Sequence, residues 1–390
     1  MISLTLNSRL HLISVGVFIQ SCGWMMVSVF FPLYLLKLEV SVVVIGFSAT
    51  LAVVGRIVCL PLGGVCSDLI GRKRTMVLAL GMQTPILAAM GFFRSATFLI
   101  LLWVLVSACW GLLLPAQDVM IADIVKAKER VKAYGLLHAC RNVGFGIGSL
   151  FGGFLAAVSY PNLFFAATLS NGAFFAIVWH RLDETKPNSG QSRISGLSVS
   201  LKGYKSVTKD APFLVFCLLA MLTLFIYTQV GTPFTIYSVR SLGITEPQLG
   251  SLRSLNCWIV ALLQYPVAWG VGKRNLKWAL FASLLLFGVG YQVVSFSSSF
   301  QLLIVFMVIL TLGELFESPS LTAGAMRFAP ESKRGAYMGL SSTFQSIGWA
   351  IAPSVGCSML EVFNPSILWN TVTFLSVLTA FAFLKVRIPK

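Results

Sequence analysis

The chain has 390 residues, of which 57% are hydrophobic and only 11% charged, and its mean hydropathy is +0.85. Soluble domains carry roughly 25% charged residues, so this composition excludes a water-soluble globular protein and implies an integral membrane protein. The net charge of +16 does not make it a nucleic-acid binder. The cations are gathered in short turns between apolar runs, and no solvated domain is long enough to present them to a polyanion.

Apolar runs of about 20 residues, each enough to span a bilayer, recur from end to end, and twelve spans are predicted. The first, 11–36, is too long for the apolar core of a signal peptide and shows no clear cleavage site; it carries Gln20 and Trp24. The second, 42–66, carries Arg56 and runs into a polar turn, Gly63-Gly64-Val65-Cys66-Ser67-Asp68-Leu69-Ile70-Gly71-Arg72-Lys73-Arg74. A carboxylate, a turn glycine and three cations within seven residues make a compact electrostatic latch, held close to the helix ends by the shortness of the turn. Asp68 is placed to pair with Arg72 or to accept from a neighbouring helix N-terminus. Spans 73–94 and 97–122 follow, the latter with Trp110 and Asp118 and ending beside Asp123. The fifth, 132–159, carries Arg141 and Asn142 and then Gly144, Gly148, Ser149, Gly152 and Gly153; glycines four apart form a groove that lets another helix approach closely. The sixth span is 162–180.

From Arg181 to Ala211 the chain turns polar and is rich in Ser, Gly, Lys and Arg, which predicts a linker, with a weak amphipathic signal over Leu197–Tyr204. The second set of spans is 212–238 (Tyr227, Gln229), 246–271 (Arg253, Asn256, Trp258), 276–295, 299–322 (Glu314, Glu317), 333–360 (Gln345, Trp349, Pro353, Gly356) and 366–385. The expected domains are therefore an N-terminal six-helix bundle over 1–180, a linker over 181–211 and a C-terminal six-helix bundle over 212–390. Of the 29 cations, only Lys37, Arg94 and Arg240 fall in turns on one side, and Arg56, Arg141 and Arg253 lie within spans. All the others fall on the opposite side, which the positive-inside rule assigns to the cytoplasm together with both termini. The halves repeat one another: at an offset of 204 residues Pro115 matches Pro319, Arg130 matches Arg334, and Gly144 and Gly152 match Gly348 and Gly356. Duplication with a site between the repeats marks secondary transporters.

The pattern of Gly64, Asp68, Gly71, Arg72, Lys73 and Arg74 resembles the signature loop between the second and third helices of the major facilitator superfamily. The resemblance extends over essentially the whole chain. It implies an all-α membrane protein of twelve transmembrane helices in two pseudo-symmetric six-helix bundles. It also implies that these loop residues, with Asp123 as acidic partner, stabilise the outward-facing state as a cytoplasmic gate. The corresponding turn of the second half, Pro266 to Arg274, keeps glycines and cations but lacks the aspartate. The Gly144–Gly153 stretch is similar to the antiporter motif of drug-exporting members, with Ser149 in place of its proline; Pro353 and Gly356 form the counterpart in the eleventh span. The arginine which that group carries four residues before a fourth-helix glycine is absent: with Gly111 as that glycine, the position is Ser107.

Charges within spans are costly and face a cavity or a partner. Arg56, Asp118, Arg141, Arg253, Glu314 and Glu317, with Asn256, are therefore the candidates for substrate or proton binding. Neighbouring aromatic and amide side chains suit an amphipathic organic solute. The expected activity is alternating-access transport of a small organic solute, with proton-coupled efflux through Glu314 or Glu317. The alternative is an organic-anion carrier that uses Arg56, Arg141 and Arg253; a non-transporting sensor or intramembrane enzyme is the third class. No catalytic or nucleotide-binding motif is present, and neither the eight cysteines nor the three histidines have metal-site spacing. The expected partners are a small-molecule substrate, protons and the lipid of the cell membrane, with no cofactor and no nucleic acid, and the expected state is a monomer.

Overall fold

A single segment in hydrocarbon can satisfy its own backbone only as a helix, and the computed structural model, described over residues 8–186, 207–272 and 276–389, contains no strand among those residues. In chain order the helices are α1 Ser8–Lys37, α2 Val42–Ile70, α3 Arg72–Phe92, α4 Ala96–Ile124, α5 Arg130–Val158, α6 Tyr160–Arg181, α7 Ala211–Thr228, α8 Thr232–Arg240, α9 Glu246–Gly272, α10 Leu276–Ser295, α11 Phe300–Phe328, α12 Arg334–Val362 and α13 Pro365–Lys385. Taking α7 and α8 as one, eleven spans among the described residues are long and apolar enough to cross a membrane. The glycine- and serine-rich α12 has the length, 29 residues, and is not among the eleven. The chain is a multi-pass membrane protein. The predicted surface helix at Leu197–Tyr204 and most of the linker lie outside the described residues.

The seventh span, predicted as one helix over 212–238, is two. The break falls at Gln229–Gly231, just before Pro233. Pro233 has no N–H to donate to the carbonyl of Gln229, four residues before it, and Gly231 adds backbone freedom between them. The last carbonyls of α7 find a partner elsewhere in the fold, and the break is tied to α12 by a side chain. The fully buried Tyr291 donates its hydroxyl to the carbonyls of Ile226 (2.8 Å) and Tyr227 (3.0 Å), and the Gln229 amide donates to Ala352 O at 3.3 Å.

Over the described residues the contacts divide the chain into two units. One comprises Met1–Val40, Leu51–Ser192 and Thr245–Trp258; the other comprises Ser41–Thr50, Arg193–Ile244 and Ile259–Lys390. In the first, α1 packs on α5 and α6, and α3 on α4 and α6. Its core includes Leu10, Ile13, Met76, Leu80, Leu113 and Phe174. In the second, α7 packs on α12, and α10 on α11 and α13, so the pairings α1–α5, α3–α4 and α3–α6 recur. Its core is aromatic: Trp369 and Tyr291 stack with centroids 5.7 Å apart, and Phe213 and Phe216 pack with Phe328.

Glycine contacts carry the repeat to the atomic level. A Cβ at Gly144 would lie 2.6 Å from Phe18 O in the first unit, and one at Gly348 would strike Met221 O in the second. Gly152 abuts Met26 and Phe30, and Gly356 abuts Gln229 and Pro233. The opening turns of α9 cross α5 in the first unit, where a Cβ at Gly250 would meet Ser149 O at 2.5 Å and Gly153 Cα at 3.2 Å. The opening turns of α2 cross α12 in the second, where a Cβ at Gly46 would meet Pro353 O at 2.7 Å and the Cys357 side chain at 2.5 Å. Gly46 and Gly250, Ser149 and Pro353, and Gly153 and Cys357 are all separated by the offset read from sequence.

Candidate functional site

The α2–α3 turn is built around Gly71, whose φ of +112° only glycine adopts without strain. It separates the end of α2 from the start of α3 by one residue, which throws Arg72 inward. Arg72 is 9% exposed. Its Nε donates to Asp123 Oδ2 at 3.0 Å, and Nη1 donates to Ser67 O at 3.2 Å and approaches Asp68 Oδ1 at 3.6 Å. Asp123 is thus the close partner of Arg72 and Asp68 the loose one, with an Asp68 side chain 53% exposed. Arg74 is exposed and Lys73 half-buried. A Cβ at Gly64 would meet nothing within 4 Å in the first unit, whereas one at Gly63 would lie 2.5 Å from Leu112 O. Gly63, which the motif reading passed over, is the close-approach glycine between α2 and α4.

Three further residues of this cluster come from the polar run after α6. The Glu184 carboxylate accepts from the backbone N–H of Arg72 at 2.7 Å and from those of Lys73 and Arg74 at 3.4 Å. It therefore caps the first turn of α3, whose N–H groups have no partner within the helix. Thr185 donates its hydroxyl to Asp123 Oδ2 at 3.1 Å, and Lys186 Nζ donates to Leu69 O at 2.6 Å at the end of α2. Asp183 pairs with Arg9 at 2.6 Å. Partial burial pushes the Glu184 carboxyl up. The N–H bonds from Arg72, Lys186, Arg74 and Lys73 outweigh it and hold the group below its ordinary value. The sequence marks this stretch only as the start of a linker. Its signal was a Glu and a Thr following the last turn of a helix, which carries no address for a partner some 110 positions earlier.

The glycine motif of α5 divides between two neighbours. Gly144, Gly148 and Gly152 seat α5 against α1, and Ser149 and Gly153 face the opening turns of α9. Ser149 is buried and bonds back to Phe145 O at 2.8 Å.

The candidate charged and polar residues at span depth fall into two sets. In the first unit, Arg56 is on α2, Asp118 on α4, Arg141 on α5, and Arg253 and Asn256 on α9. Asp118 and Arg141 lie in one another's field, and no ion pair within 4 Å includes either among the described residues. A narrow crevice between α1, α4 and α5 is lined by Gln20, Trp24, Trp110, Gln117 and Arg141 among others. Gln117 is 1% exposed, and its Nε2 has no hydrogen-bond partner among the described residues. In the second unit, Glu314 and Glu317 stand nearly one turn apart on α11 and feel each other's charge; Glu317 is 5% exposed. Several amides at span depth also fasten the protein to itself. Gln20 donates to Gln83 and Asn171 (both 3.3 Å), Asn142 to His138 O, and Gln345 to Ser341.

The model of the Major Facilitator Superfamily matches residues 13–353, with a second match over 219–390. A Na(+), Li(+), K(+)/H(+) antiporter of Planococcus maritimus is 26% identical, over 89% of this chain and 88% of its own. Multidrug resistance protein 1 of Bacillus subtilis is 24% identical, over 91% and 90%. Among solved structures, the nucleoside transporter NupG superposes with a TM-score of 0.82 at 14% identity, covering 97% of this chain and 99% of that one; at that identity it bears on the fold alone. Two repeats of the same helix pairing, a charged α2–α3 turn and a family match over most of the chain lead to one conclusion: the chain is a secondary transporter, not an enzyme, and belongs to the Major Facilitator Superfamily.

Proposed function

We propose that the chain exports a small organic solute across the cell membrane in exchange for protons, by alternating access. The carrying observation is the pair Glu314 and Glu317 on α11, two carboxylates at span depth with Glu317 almost wholly buried. Acidic groups inside a span are expensive and mark ion or proton paths. The names of the two relatives, a cation/proton antiporter and a multidrug resistance protein, support exchange and export. The cation distribution supports a cytoplasmic location for both termini and for the α2–α3 turn. On that face the gate would consist of Gly64, Asp68, Gly71, Arg72, Lys73, Arg74 and Asp123, with the Arg72–Asp123 contact holding the turn in shape within the first half. Gly144, Gly148, Ser149, Gly152, Gly153, Pro353 and Gly356 would seat the helices that flank the moving parts. The two six-helix halves, 1–180 and 212–390, would be the bodies that rock, as a monomer.

The test is accumulation of ethidium, an organic cation, in inside-out membrane vesicles energised by an acid interior. Wild-type protein is expected to drive uptake that collapses with the pH gradient, and Glu317→Gln to abolish the gradient-dependent part. Uptake by Glu317→Gln equal to wild type at every gradient would remove Glu317 as proton carrier. Proton exchange for Na+ or K+ with no ethidium uptake would replace the organic cargo by an inorganic cation.

A second reading, an organic-anion carrier, is favoured by one feature. The α1–α4–α5 crevice offers the Arg141 cation and the Gln117 amide, which has no partner among the described residues, two donors that suit an acceptor-rich anionic group. Arg56 and Arg253 are further cations at span depth in the same unit. On that reading Arg141→Gln removes binding of anionic solutes and spares neutral ones.

A further inference from the structure

The four residues 183–186 reach four helix ends. Asp183 holds Arg9 in the first turn of α1, Lys186 caps the last turn of α2, Glu184 caps the first turn of α3, and Thr185 bonds Asp123 in the last turn of α4. Each contact has its own electrostatic reason. The start of α3 presents free N–H groups and the positive end of a helix dipole, to which Arg72, Lys73 and Arg74 add three cations. A carboxylate is the natural counter-group, and Glu184 supplies it with both oxygens. The end of α2 presents free carbonyls, which suit a lysine ammonium. Asp123 Oδ2 is shared by Arg72 Nε at 3.0 Å and Thr185 Oγ1 at 3.1 Å, so the strap and the latch meet on one oxygen. Gly71 is fitted to the same arrangement: a Cβ there would run into the Glu184 carboxylate.

We infer that Glu184, Thr185 and Lys186 are positioning residues of the gate, a strap that holds Arg72 and Asp123 in their paired geometry. Glu184 fixes the backbone from which Arg72 projects, and Thr185 fixes the carboxylate that receives it. The strap continues directly into the linker between the halves, so the first residues of that linker are a working part of the gate. The inference rests on the reading of Arg72 and Asp123 as a gate.

The test is a double-mutant cycle read by hydrogen exchange on the full-length purified protein, comparing wild type, Glu184→Gln, Asp123→Asn and the double variant. Ser299→Ala serves as control, since Ser299 caps the start of α11 as its own N-cap residue and is no part of the strap. Glu184→Gln is expected to raise exchange not only at 72–75, which it contacts, but also at the end of α4, 120–126, by about three-fold, a charged hydrogen bond discounted for its exposure. Asp123→Asn is expected to do the same, and the double variant to add little further, as coupled residues do. Ser299→Ala is expected to leave both segments at their wild-type rates. The inference is overturned if Glu184→Gln raises exchange at 72–75 alone while Asp123→Asn loosens 120–126, or if the two effects add in full. If Asp123→Asn leaves 120–126 unchanged, the gate reading itself fails, a result distinct from either.

Discussion

Single residues decide the geometry of the α2–α3 turn. Gly71 supplies the backbone that no other residue adopts without strain, Arg72 turns inward to Asp123, and Glu184 neutralises the start of α3. The last contact has a pH signature. A carboxyl whose folded-state value is depressed stabilises the fold above its unfolded value and loses that contribution as pH falls through the folded one. Glu184 sits below its ordinary 4.5. The stability gap between wild type and Glu184→Gln is therefore expected to stay constant from neutral pH down to the ordinary carboxylate range and to close only below it. Thermal unfolding of both proteins across that range checks this; a gap that closes above the ordinary range, or widens with acid, contradicts it. Asp123 was legible as the partner of this turn through the family resemblance, and the cations through the turn itself. Glu184 was not, because a cap is made by a side chain that arrives from 110 positions away, and nothing local marks its destination.

At the scale of elements, the twelve spans were legible because hydrocarbon demands long apolar helices, and their order because polar turns interrupt them. The break between α7 and α8 was also written in the sequence, as Gly231-Thr232-Pro233, but the continuous hydropathy across it hid the signal. The glycine matches at a fixed offset were legible as a pattern. Their meaning was not, since close contact depends on which face each glycine presents. The packing separates glycines that share a helix. A Cβ at Gly148 would meet the backbone of Cys22, which cannot move aside, whereas Gly135 has open space around it. Gly148→Val is therefore expected to destabilise the α1–α5 pair by about 1–3 kcal/mol, as overpacking does. Gly135→Ala is expected to be neutral or to stabilise by up to about 1 kcal/mol through helix propensity. Unfolding midpoints in detergent compare the two, and equal midpoints would contradict the assigned packing. The motif spacing points to Gly64, while the close approach falls on its neighbour Gly63; the one-residue difference is a rotation of about 100° around the helix.

For the whole molecule, the repeat is the organising fact. The same helix pairings, the same glycine seats and the same crossings recur in the two units, and the chemistry is then unevenly distributed over them. The turn with its acidic partner lies in the first unit and the paired carboxylates in the second. On the proposed reading, the first unit would carry the gate and the second the proton carrier. Composition and charge placement made the membrane protein legible, and the α2–α3 motif made the family so. The substrate was not legible, because its pocket is assembled from side chains on many helices whose facing no linear pattern records. The central claim is that solute movement is tied to proton movement through α11. It is tested most directly by purified protein in sealed proteoliposomes loaded with the pH dye pyranine and holding an acid interior. Adding ethidium outside is expected to release protons from the lumen with wild-type protein and not with Glu317→Gln. Ethidium that crosses the membrane with wild-type protein while the luminal pH stays constant would contradict the account.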